Sequence, residues 1–156
     1  MDLRERPTPE NRFLQHHAIL LLESYYSLTG RRLLDADCSE PGHALYHSPL
    51  AVVSHDTADD PVFNYANRTA LDLFEMDWDT FTRLPSRLSA EQPNRDERQR
   101  LLIEVTDKGF IDHYTGVRIS SSGRRFHICN ATVWNLLQNG RLLGQAAVFG
   151  QWEYID

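Results

Sequence analysis

Residues 61–81 read Pro-Val-Phe-Asn-Tyr-Ala-Asn-Arg-Thr-Ala-Leu-Asp-Leu-Phe-Glu-Met-Asp-Trp-Asp-Thr-Phe, and their hydrophobic period changes partway through. Val62 to Tyr65 has the character of a short strand, after which Ala70, Leu73 and Phe74 recur at helical spacing. Asn67 stands where its side-chain oxygen can accept from the unpaired amides at the start of that helix. Asp77 offers a second cap, with Trp78 and Phe81 as the apolar contacts of another short helix or turn. The chain therefore passes from strand to helix to helix almost without a linker, which confines it to architectures that mix the two.

A chain of 156 residues suffices for one domain with a core that needs neither disulfides nor metal. Hydrophobic residues at 41% and charged residues at 24% give a composition that folds rather than one that stays disordered. The net charge is -6, and basic residues are dispersed among acids apart from Arg31-Arg32 and Arg124-Arg125. That balance argues against a nucleic-acid footprint and against an anionic membrane surface. Cys38 and Cys129 stand far apart with no Cys-x-x-Cys, so reduced thiols are expected. The first residues are charged and no apolar run is long enough to span a bilayer, so a cytoplasmic location is expected.

Three divisions are predicted: a disordered tail at 1–8, a helix and connecting loop at 9–49 packed on the core, and the core itself at 50–152. Thr8 followed by Pro9 is a strong helix start, and Gly30 can end the helix in a left-handed cap. Between them Phe13, Leu14, His17, Ala18, Leu21, Leu22, Tyr25 and Leu28 make one stripe at 3.6 spacing. This amphipathic helix, Thr8 to Gly30, can cover an open sheet face or pair with its copy in a homodimer. Loop residues follow over 35–49, and then residues 50–54 read as a strand. Asn94 with Glu97 resembles a capping box, Leu101, Leu102 and Val105 supply a buried face, and Gly109 stops that helix. The last third is strands at 110–120, 125–137 and 142–149, the final pair joined by Asn139-Gly140, a strong hairpin signal.

The order β-β-α-α-α-β-β-β, with the asparagine-capped helix after the second strand, resembles PAS sensory domains. The implied fold class is α+β, a five-stranded antiparallel sheet with helices on one face, a cavity between, and the amphipathic helix added at the N-terminus. Further segments narrow the resemblance to the MEKHLA domain, a PAS-related family: Leu22-Glu23-Ser24-Tyr25-Tyr26, Leu84-Pro85-Ser86-Arg87-Leu88, Gly109-Phe110-Ile111-Asp112, Gly116-Val117-Arg118-Ile119 and Ala131-Thr132-Val133-Trp134. Together these span about 13–152. The resemblance implies a sensor of light, oxygen, redox state or a small molecule, with no assigned catalytic residues. A similar domain ends plant class III homeodomain–leucine zipper transcription factors. This chain carries neither homeodomain nor zipper, so DNA binding is not implied for it.

Candidate binding residues come from three places. Strict alternation over 126–136 puts Phe126, Ile128, Asn130, Thr132, Trp134 and Leu136 on the face expected to meet the core. Asn130 and Thr132 would then need partners from protein, water or ligand, and a one-residue register change would instead expose both. Phe74 and Trp134 are candidate apolar walls. Arg83, Ser86 and Arg87 form a cationic and hydroxyl-bearing cluster that could clamp a carboxylate, or pair on the surface with Asp77, Asp79 or Glu91. His43 and His47 are four apart without a third metal ligand, and His55, His113 or His127 would have to enter the cavity to hold a haem. The flavin-bonding Gly-x-Asn-Cys-Arg-Phe-Leu-Gln motif of light-oxygen-voltage domains is absent at 86–93, and no cofactor is assigned.

The expected function is a sensory or small-ligand-binding module that signals through a protein partner. Two other classes remain open. One is a small cone-fold enzyme, a hydrolase or isomerase with a His/Asp pair assembled across elements, since the neighbours His55-Asp56 and Asp112-His113 point to opposite faces of a strand. The other is a ligand-free dimerisation module with a filled core.

Overall fold

Five strands, β1 (Ala51–His55), β2 (Phe63–Ala66), β3 (Phe110–Ile119), β4 (Arg125–Gln138) and β5 (Arg141–Phe149), pair antiparallel in the spatial order β2-β1-β5-β4-β3. The structure is a computed structural model and describes residues 5–155. The last hairpin closes on Asn139 and Gly140, both at positive φ, as a two-residue turn of this chemistry requires. A further strand, β6 (Gln151–Ile155), continues the line of β5 beyond Gly150 and pairs with the first half of β4. The strand signals in the sequence end at Phe149, so β6 adds to the expected set.

Helices cover both faces of the sheet. On one face lie α3 (Arg68–Phe74), α4 (Trp78–Phe81) and α5 (Gln92–Lys108). Asn67 and Asp77 cap the first two by accepting from the amides of Ala70 and Thr80. On the other face lies α1 (Gln15–Thr29), which buries Ala18, Leu21, Ser24 and Tyr25. Tyr25 meets Trp134 edge-on at 5.0 Å between ring centroids, and Ser24 exchanges hydrogen bonds with the backbone of Leu137. The apolar stripe of the N-terminal helix is thus used on its own sheet.

Two local readings differ. Thr8 does cap a start, but only of the 3-10 turn Pro9–Asn11; Arg12, Phe13 and Leu14 then take left-handed backbone and α1 begins afresh at Gln15. Residues 35–49 are not all loop, because α2 (Pro41–Tyr46) forms there with Pro41 at its first turn, a position that has no amide to lose. Of the predicted tail, residues 1–4 lie outside the described residues, while Arg6 is held by Asp79 through Nε at 3.3 Å.

The sheet's two faces exchange partway along β3 and β4. His113 and Asn130 both have left-handed backbone, with φ of 57° and 54°. The register shifts between Ile111 and Tyr114 and again between Tyr114 and Gly116, so an extra residue on β3 is followed by one on β4. Paired bulges of this kind reverse which side chains face which side. Before the bulge Phe126 and Ile128 face α3 and α5; after it Ala131 and Val133 do, and Thr132 and Trp134 face α1.

Candidate functional site

A cavity of about 60 Å³ lies between the inner face of the sheet and α3 and α5. Phe63, Phe74, Leu101, Ile128, Val133 and Phe149 supply its apolar wall. The polar wall is made by His55, Ser89, Arg98, Tyr114, Arg118 and Gln145. Pockets for drug-sized molecules run to roughly 300–1,000 Å³, so a group as large as a flavin does not fit among these side chains as they stand. Cys38 and Cys129 are both off the cavity wall.

Helix α5 positions the most unusual member of the wall. Its buried residues are Arg98, Leu101 and Val105, three positions of one stripe, so a guanidinium occupies a place where an apolar side chain is the rule. Arg98 is 6% exposed and its Nη2 donates to Ser86 Oγ at 2.7 Å. Burial, followed by the nearby charge of Arg118, pulls its pKa down to about 10. Arg118, 7% exposed, reaches the wall from β3, where Tyr114, Gly116 and Arg118 alternate onto the inner face. Its Nη1 donates to Val117 O at 2.8 Å and its Nη2 to the Tyr114 hydroxyl at 3.1 Å. That hydroxyl in turn donates to Glu97 Oε2 at 3.0 Å. Gly116 makes the arrangement possible, since a Cβ there would lie 2.2 Å from the Tyr114 oxygen.

His55 and Gln145 close the other side. The Nδ1 of His55 lies 2.8 Å from the carbonyl oxygen of Asp56 and must donate to it, which leaves Nε2 as the acceptor of a neutral ring. That atom is buried with no hydrogen-bond partner. Burial is the main cause that holds the His55 pKa below its ordinary value, with Arg98 adding to it and the Asp56 carbonyl opposing. Gln145 Nε2 stands 3.0 Å from Thr106 Oγ1, 3.0 Å from Asn135 Oδ1 and 3.2 Å from Leu102 O, so its two hydrogens are shared among acceptors that tie α5 to the sheet.

Of the candidates read from the sequence, Phe74 stands in the wall and Ser86 stands behind it as the partner of Arg98. The others lie elsewhere. Arg83 and Arg87 are exposed, and Arg87 Nε pairs with Asp60 at 3.0 Å rather than with an acid of the α4 region. Asn130 is exposed on the bulge, its Oδ1 2.6 Å from His113 Nδ1. Thr132 is buried on the α1 face, where its hydroxyl donates to Asp112 Oδ1 at 2.7 Å, and Arg31 holds the same oxygen at 2.7 Å. Trp134 packs on Tyr25. For the three residues of β4 the correction has one cause: strict alternation carried through Asn130, whereas an extra residue there turns the remainder of β4 over. Among the histidines weighed as haem ligands, His55 alone lines the cavity; His113 is exposed on the bulge and His127 is half-buried. Among the described residues no group of three or more His, Cys, Asp or Glu could hold a metal ion.

The MEKHLA domain family model matches residues 15–154. This chain belongs to the MEKHLA domain family. The homeobox-leucine zipper protein ATHB-14 of Arabidopsis thaliana is 28% identical to this MEKHLA domain over 122 residues, 74% of this chain and 14% of that protein. The chain therefore spans about one seventh of the relative's length. In three dimensions it resembles the PAS domain of a protein from Colwellia psychrerythraea, with a TM-score of 0.60 at 13% identity, covering 72% of this chain and 92% of that one. It resembles the light-state dimer of the fungal blue-light photoreceptor Vivid with a TM-score of 0.56 at 12% identity, covering 83% and 91%. This MEKHLA domain thus has a PAS-like α+β fold. No helix among the described residues is long and apolar enough to cross a membrane.

Proposed function

We propose that this MEKHLA domain binds a small ligand between its sheet and α5, and that occupancy is reported through α1 to a protein partner. The observation that carries this reading is a cavity in a PAS-like fold whose wall holds a buried acceptor without a partner, His55 Nε2, together with two buried guanidinium groups, Arg98 and Arg118. A filled core would have no use for such an acceptor, which costs on the order of 1–3 kcal/mol when unsatisfied. β4 supplies the route outward. Val133 faces the cavity, and the next residue, Trp134, faces Tyr25 of α1, so a shift of one strand is felt on both sides. The exposed side of α1 carries Ile19 and Tyr26, apolar surface suited to a partner chain or a second copy in a homodimer. The setting proposed is the cytoplasm.

The modest size of the cavity supports a second reading, a ligand-free interaction module. The cone-fold enzyme has less support: the cavity's histidine spends Nδ1 on a backbone carbonyl rather than on a carboxylate. Native mass spectrometry of the purified protein separates the two readings. A non-covalent adduct of small mass is expected, and a bare chain at every cone voltage would replace the sensor with the interaction module.

A further inference from the structure

Two buried guanidinium groups share one cavity wall, and neither has a carboxylate at ion-pair distance among the described residues. The acids nearby are otherwise engaged: Asp60 by Arg87, and Glu97 by the Tyr114 hydroxyl. Two like charges taken out of water repel each other and forfeit hydration, a combination that a stable apo fold does not select for its own sake. The three hydrogen bonds the pair makes go to uncharged oxygens of Ser86, Val117 and Tyr114 and do not neutralise it. An incoming anion would. The same cavity has an aliphatic and aromatic wall of Phe63, Phe74, Leu101, Ile128, Val133 and Phe149, which suits an organic anion with a short apolar body rather than a bare inorganic one. About 60 Å³ holds roughly four to six water-sized groups. His55 Nε2, an acceptor without a donor, adds a place for one hydroxyl.

Resting on the sensory-cavity reading above, we infer that Arg98 and Arg118 bind the carboxylate of a short-chain hydroxycarboxylic acid, whose hydroxyl donates to His55 Nε2. The body of the ligand lies against Phe74, Leu101, Ile128 and Val133. Ser86 and Tyr114 act as positioning residues, holding the two guanidinium groups at the angle from which they meet one ligand.

Isothermal titration with sodium lactate, at constant ionic strength set with sodium chloride, tests this directly. Saturable one-to-one binding is expected, with propionate several-fold weaker for want of the hydroxyl. Arg98→Gln and Arg118→Gln should each weaken lactate tenfold or more, the size of one lost charge-assisted hydrogen bond. Arg98→Met should also raise the melting temperature of the ligand-free protein, because a binding charge kept at a stability cost has been removed; a purely structural arginine would lower it. If Arg98→Gln does not fold, Arg118→Lys serves in its place, keeping the charge but losing the planar fork. Absence of saturable lactate binding, equal binding by phosphate, or unchanged affinity in the folded arginine variants overturns the assignment. A different adduct in native mass spectrometry beside absent lactate binding would remove the hydroxycarboxylate and leave the sensory cavity standing. A bare chain with no lactate binding removes both.

Discussion

Single residues decide the character of the inner wall. Gly116 is the clearest case, because it matters for the volume it leaves empty. Tyr114 and Arg118 lie over it on the same face of β3, and an added Cβ would also come within 3.0 Å of Arg118 Nη1. Gly116→Ala is therefore expected to displace the tyrosine ring and to lower stability by about 1–3 kcal/mol, read from equilibrium urea unfolding. Arg98 was legible in principle. It stands three residues before Leu101 and seven before Val105, and a charge on a buried stripe is the kind of break in pattern that marks a site. Arg83 and Arg87 attracted notice by their cluster with Ser86, yet charge in a loop is cheap to solvate, and solvent is where both lie.

Elements are joined here by a few saturated side chains. Asn67 is fully buried and does more than cap α3: its Oδ1 accepts from Ala70 N and Val52 N, and its Nδ2 donates to Leu45 O and Leu50 O. One amide thereby ties α2, the entry to β1, and α3 together. Asn67→Ala should cost at least about 2 kcal/mol, more than an exposed cap, because it strands buried backbone groups as well as the helix end. Thermal unfolding monitored by circular dichroism would show it. The capping role was readable from spacing, whereas the two carbonyl partners come from residues far earlier in the chain and carry no local signal. The bulge at Asn130 is similar. Asparagine tolerates left-handed backbone, but only the pairing with His113 across the sheet makes that conformation the one adopted.

For the whole molecule the buried imidazole sets a pH dependence. The pKa of His55 is lowered in the fold, so the unfolded chain binds the proton more readily. Stability contributed by the neutral ring is then fully present above the unfolded value of about 6.5 and is lost as pH falls from there through the folded value. Arg98, Arg118 and Tyr114 face the same cavity; Arg98, lowered by burial to about 10, and Tyr114, raised by burial, do not titrate in that window. Asp77 and Asp112, whose pKa values are lowered by the Thr80 amide and by Arg31 respectively, act in a separate and more acid range. Unfolding free energy should fall between pH 7 and pH 5 in the native protein, and His55→Gln should flatten that slope. A slope unchanged by the substitution would place its origin in another group.

The order of elements, the caps at Asn67 and Asp77, the hairpin at Asn139-Gly140 and hence the PAS-like α+β class were legible in the linear chain, because these depend on local period and turn chemistry. The linear chain also supplied Phe74 and Ser86 as residues at or behind the cavity wall. Which face of β4 meets the cavity was settled by the pairing of distant strands, because a single extra residue at Asn130 reverses every side chain after it. Tertiary packing alone brought Arg98 from α5 to Arg118 from β3. Two charges on separate elements carry no sign, in a linear text, that they will be buried side by side.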